Sequence, residues 1–209
     1  RAAQLADRAR AGNRSKYTWM TQPWVVDLFL HCKRSNIVAP EQYGGLPLLQ
    51  CPNASQVAQF KRAVALGDIT WHAAATDQQA AFFPNAGMFE ASLRINEELA
   101  AELGVKPSTA VSTRDVPGWT RGTLPLLKKH KINGMSFGSG SPPGRPTQFP
   151  QLFVWRDAGS GAELVVTIET GYGNWRTLFV LPNGVALCAD WSGDNSGPSD
   201  NADTLSILR

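Results

Sequence analysis

Asp77 lies near the end of the stretch "DITWHAAATDQQ" (residues 68–79), and Asp115 lies in "TRDVPGWT" (residues 113–120). Paired carboxylates do acid/base or nucleophilic work when their surroundings push their pKa values apart. Each also has a plainer reading: Asp77 as a loop acid, and Asp115 as a partner for turn amides before Pro117-Gly118, with Thr120 placed to cap a helix. His72 is one of three histidines. It could face a ligand or sit satisfied in the core, whereas His31 and His130 fall in helices and read as structural or solvated. Trp19, Trp71, Trp119, Trp155 and Trp191 fall at or just past expected strand ends. An indole face packs well on a pyranose there, or equally well in a core. "ETGYG" (residues 169–173) sets Tyr172 between glycines at a strand end, suited to stacking on a sugar or to a plain turn. "DWSGDNSGP" (residues 190–198) bunches Asp190, Asp194 and Asn195 around glycines. That is a turn, or an oxygen-rich cluster whose spacing is not that of an EF-hand.

The elements that must position these residues follow from periodicity. Helices are expected over residues 1–11, from Pro23 through "WVVDLFLHC", over "ASQVAQFKRAVALG" with Gly67 as its stop, from about Ala86 to Leu103 with Gly104 closing it, and over "TRGTLPLLKKHK" with Asn133-Gly134 as its stop. Strands are expected at "KYTWM", "DITWHAA", "STAVST", "GMSFG", "LFVWRD", "ELVVTIE", "RTLFVL" and "GVALCAD". Residues 36–53 and "SGSPPGRP" read as loops. Alternating strands and helices predict a mainly parallel sheet flanked by helices, with extra β-strands near the C-terminus. Ligands in such folds lie beyond the carboxyl ends of the strands, where loops vary without disturbing the core.

Bulk properties narrow the classes. The chain has 209 residues, 43% hydrophobic and 18% charged, as a globular domain should. Its net charge of +3 is scattered and not interleaved with aromatics, which argues against nucleic acid. No apolar run approaches the roughly 18 residues that a membrane span needs. There is no signal peptide, and the chain opens on Arg1 rather than Met, so a missing N-terminus is expected. The phosphate loop, the dinucleotide fingerprint, the GxSxG elbow and the HExxH zinc motif are all absent from the sequence. Of three cysteines, at least one stays unpaired within the chain; Cys32 with Cys51 is one open pairing. Residues 53–55, "NAS", match an N-glycosylation acceptor, relevant only in a secretory route. The compartment is otherwise unread, with a secreted or luminal location open, and so is the oligomeric state.

The order of "YTWMTQPWVVDLFL", "GDITWHAAATDQQ", "RINEELAAELGVKPSTAVSTRDVPGWTRGTLPLLKKHKINGMSFGSG", "FVWRD" and "ETGYG" resembles the N-terminal domain of glycoside hydrolase family 38, the α-mannosidase superfamily, and more closely an uncharacterised branch of it, a domain of unknown function. The resemblance spans roughly residues 15–200; its most specific parts are "GDITWHA", "DVPGWT" and "GDNSGP". It implies a seven-stranded (β/α) barrel of the hydrolase/deacetylase type, here partial. It also implies retaining, zinc-dependent cleavage of a glycan or glycoside by two carboxylates. Asp77 and Asp115 are then the catalytic candidates, with Trp19, Trp71, His72, Tyr172, Asp194 and Asn195 lining the substrate. The family pattern is only partly kept. Asp77 comes two positions late after Trp71 and is followed by Gln78 rather than Glu, and Trp119 replaces a His in the "DVPGWT" turn. The first-strand His and Asp zinc ligands would lie upstream of Arg1, and no late His matches, so the metal ligands are unassigned. The chain is expected to be one α/β domain, residues 1–209, cut from a larger multidomain protein and inactive alone. The alternatives are a non-catalytic carbohydrate-binding barrel and a deacetylase, the latter needing an Asp/His/His set that the chain lacks.

Overall fold

The computed structural model describes residues 2–11, 18–32, 51–116, 118–139, 150–170, 177–180, 183–184 and 186–189. In chain order the elements are α1 (Ala2–Ala11), β1 (Trp19–Thr21), α2 (Pro23–Leu30), α3 (Ala54–Ala65), β2 (Ile69–Trp71), α4 (Ala86–Leu103), β3 (Ala110–Arg114), α5 (Leu124–Lys129), β4 (Gly134–Ser139), β5 (Leu152–Asp157), β6 (Ala162–Thr170), β7 (Thr177–Val180) and β8 (Ala186–Ala189). The fold is mixed α/β, as expected, with the additional strands toward the C-terminus present as hairpins β5–β6 and β7–β8.

Capping chemistry sets the helix limits. The Asn53 side chain accepts the Gln56 N–H at 2.9 Å and the Gln56 side chain accepts the Asn53 N–H at 2.9 Å, a full capping box opening α3. Asn85 opens α4 in the same position, accepting the Met88 N–H at 3.0 Å. Helices α3, α4 and α5 all end on the same paired bonds. The Asp68, Val105 and Ile132 N–H groups reach back to Ala63, Ala100 and Leu127 carbonyls, and a left-handed residue lies just before each. Gly67 (φ 71°) and Gly104 (φ 66°) fill that position as expected. After α5 it is Lys131 (φ 57°), so the helix stops before Asn133-Gly134, and those two amides instead donate to the Thr109 carbonyl. Thr120 also departs from expectation: it precedes a short 3-10 turn but its side chain caps nothing, its carbonyl accepting instead from Thr123.

Strand β1 pairs parallel with β2; β3, β4 and β6 run parallel in that order, and β5 closes the edge antiparallel to β6. Among the described residues these are two separate sheets, β1-β2 and β3-β4-β6-β5, and a bond from the Ala73 N–H, just past β2, to the Ala110 carbonyl of β3 at 2.7 Å sets them side by side. Helices α4 and α5, which lead from β2 to β3 and from β3 to β4, pack on one face of the parallel strands. The core lies there. Phe89 and Leu93 of α4 with Leu124 and Leu127 of α5 pack on Val111, Met135, Leu164 and Val166. The far end of α4, Leu99 and Ala100, packs with Val64, Ile69 and Trp71. Each buried Val, Leu, Ile, Phe or Met side chain among these contributes about 1.5–3 kcal/mol by leaving water. Among the described residues the sheets are small and open, and no closed barrel is formed.

Candidate functional site

The alanine run after β2 has a packing reason. His72 N–H still bonds back to β1, at the Thr21 carbonyl, 3.3 Å, and Ala73 N–H then switches to β3. Ala73 and Ala74 are fully buried in the core cluster, where a larger side chain would have to displace its neighbours. The chain next runs over the carboxyl ends of the strands, pinned at Ala75 by the Trp24 N–H and at Ala81, whose N–H reaches the Gly118 carbonyl at 2.7 Å. Gln78 is buried and bonds Ser92 at 3.1 Å.

This path brings Asp77 onto β3. One Asp77 carboxylate oxygen accepts the Arg114 N–H at 2.9 Å. Burial raises the Asp77 pKa above the usual carboxylate value; the Arg114 amide and charge oppose the rise and the Asp115 charge adds to it. Asp115 is exposed and takes φ 62°, rare for a residue with a side chain, while its N–H holds the Gly138 carbonyl at 2.7 Å. Both acids therefore stand at the rim of β2 and β3, one half-buried and held, the other open to solvent.

Arg114 ties the rim together. Its guanidinium donates to Ser112 Oγ (3.2 Å), the Thr113 carbonyl (2.8 Å), the Ser136 carbonyl (3.3 Å) and Ser136 Oγ (3.0 Å). Beside it His72 is 4% exposed, and its Nδ1 has no hydrogen-bond partner among the described residues. Burial, then the Arg114 charge, lowers the His72 pKa to about 4, so the imidazole is neutral at pH 7. Arg114 is the last residue of β3, directly before Asp115, and its place at a strand's carboxyl end already makes it a candidate in the sequence.

Two expected sugar-facing indoles lie elsewhere, and here the expectation needs correcting. Trp71 is 3% exposed and its indole N–H donates to Asn96 Oδ1 at 2.9 Å. Asn96 also accepts the Ser108 N–H and donates to its carbonyl, each at 3.0 Å. Neighbouring strand residues point to opposite faces, so Trp71 enters the helix layer because His72 does not. Trp19 is half-buried against Leu5, Ala6 and Ala9 of α1, on the same side. It borders a cavity of about 350 Å³ with Thr21, Val26, Phe60 and Ile69, apart from the rim. Trp119 packs edge-on to Phe89, centroids 5.9 Å apart. Tyr172, Asp194 and Asn195 lie outside the described residues. The structure thus brings together His72, Asp77, Arg114 and Asp115.

The remaining histidines have partners of their own. His31 contacts Asp27 at 2.7 Å and Glu102 at 3.2 Å, bridging α2 to α4, and His130 contacts Glu97 at 2.9 Å. Among the described residues no group of three His, Cys, Asp or Glu side chains could hold a metal ion, so these residues do not by themselves fit a zinc site. Nor is any described helix long and apolar enough to cross a membrane. No protein-family model and no curated protein matches the chain.

Proposed function

We propose that the chain is the core of a carbohydrate-active protein of the α-mannosidase type, acting on a glycoside at the β2/β3 rim. The supporting observation is the pair Asp77 and Asp115. Asp77 is fastened to the residue next to Asp115, and burial favours its protonated form. Unequal environments for two nearby carboxyls suit a division of labour. Asp77, whose pKa burial raises, is the group placed to donate a proton to the departing glycosidic oxygen. Asp115, exposed at the end of β3, stabilises or attacks the anomeric carbon from its own side. Neutral His72 offers Nδ1 as a hydrogen-bond acceptor or donor, according to tautomer, facing the same polar patch. On this reading the row β1-β2-β3-β4-β6 is an arc of a seven-stranded (β/α) barrel. Zinc, which the family resemblance implies, would require ligands beyond the described residues, and no step above runs through it.

The test is release of p-nitrophenol from aryl glycosides, α-mannoside first, by the protein isolated from its native source, with added zinc and with chelator. Asp77→Asn and Asp115→Asn should each lower kcat/KM by at least about 100-fold. No turnover of any aryl glycoside, or full activity in Asp77→Asn, would defeat the proposal. Mannoside binding without turnover, undisturbed by chelator, would point instead to a non-catalytic binding barrel.

A further inference from the structure

Asn53 begins the acceptor pattern Asn53-Ala54-Ser55, and all three residues are exposed at the start of α3. Cys51, just before it, is bonded to Cys32 across a sequence separation of 19. We propose that Asn53 carries an N-linked oligosaccharide and that the chain matures in the oxidising lumen of a secretory pathway. The two observations are independent. The disulfide belongs to an oxidising compartment, since cytosolic thiols are kept reduced. The acceptor pattern belongs to the enzyme that transfers glycans in that lumen.

The cap geometry is compatible with the modification. Asn53 uses Oδ1 to accept the Gln56 N–H and its own N–H to meet Gln56 Oε1. Its Nδ2 has no partner among the described residues. In the transfer, Nδ2 attacks C1 of an oligosaccharide carried on a lipid pyrophosphate. The C1–N bond forms, the C1–O bond breaks, the lipid pyrophosphate leaves with the electron pair, and one amide proton passes to a base of the transferase. The product remains an amide with its carbonyl oxygen, so the capping box survives. The glycan projects from the exposed helix start without breaking a described contact. A second pattern match, Asn13-Arg14-Ser15, lies outside the described residues, and peptide-level mapping separates the two.

The test is peptide mapping, without reduction, of the protein isolated from its native source. A second arm uses the full chain directed through the secretory pathway of a eukaryotic host. The peptide holding Asn53 should carry a glycan that peptide-N-glycosidase removes, leaving Asp in its place. Ser55→Ala should abolish it with an unchanged far-UV spectrum, because the cap is untouched. Cys32 and Cys51 should resist alkylation until reduced. Unmodified Asn53 in the native protein, or Cys32 and Cys51 alkylated before reduction, overturns the proposal, as does a glycan confined to Asn13. None of these outcomes depends on glycosidase activity.

Discussion

The two faces of the strand row differ sharply in chemistry. On the helix side β2, β3, β4 and β6 present Ile69, Trp71, Val111, Met135, Leu164 and Val166, all buried. Strand alternation and the pairing register give the other side Thr70, His72, Ser112, Arg114, Ser136 and Thr167. One face is a packed core and the other a hydrogen-bonded polar surface organised by Arg114. The polar face also leaves Val154 and Val165 more than half exposed, at 55% and 52%. On the barrel reading proposed above, this second face is the inner one. The lesson is that two sequence neighbours do opposite jobs: Trp71 secures the strand to α4, while His72 lies on the polar side beside Arg114.

The largest test of this contrast is truncation in the core. Leu164→Ala or Leu127→Ala should cost about 2–5 kcal/mol in urea unfolding, because each leaves a cavity among fully buried neighbours. On the opposite face Val165→Thr should stay within about 0.5 kcal/mol. Equal costs would mean that the faces are not distinct.

Titration should separate them next. His72 folds with its pKa lowered from 6.5 to about 4, so below pH 6.5 the unfolded chain takes up a proton that the native state refuses. The resulting stability is full above pH 6.5 and falls by roughly 3 kcal/mol as pH drops to about 4. His72→Asn should flatten that slope. Asp77 works in the other direction: its raised pKa favours the native state at low pH, and that contribution is lost as pH rises through its folded value.

Asn96→Ala should follow at about 1–3 kcal/mol, since it strands the buried Trp71 N–H and the Ser108 amide. The smallest effect belongs to Ser136→Ala, about 1 kcal/mol or less, because Arg114 keeps its other partners. Its useful readout is the NMR titration of His72. A looser guanidinium repels the imidazolium less, so the His72 pKa should move upward.

Much of this arrangement was legible from local chemistry. Gly67 and Gly104 marked helix ends because only they meet the left-handed turn without strain. Strand ends were legible too, and with them the placement of Asp77 and Asp115 at carboxyl termini. The period of a strand already implied that Trp71 and His72 cannot line one pocket, a constraint that motif matching set aside. Other features needed three dimensions. Lys131 gives no local sign that it will end α5, and Thr120 looked like a cap but made none. The bond from Asn96 to Trp71 joins residues 25 apart, and the Cys32–Cys51 bridge was one pairing among those the sequence allowed. Asp77 reaches the Arg114 amide across 37 positions, so its tether to β3 lay beyond any local pattern.

The account turns on whether the β2/β3 rim meets a sugar. A ¹⁵N-resolved NMR titration of the chain with methyl α-mannoside addresses this directly. Saturable shifts at the backbone amides of Asp77, Arg114 and Asp115, with the Trp71 indole signal unmoved, are the predicted result. Shifts at the Trp71 indole with a silent rim, or no saturable shift at any of these amides, would contradict it.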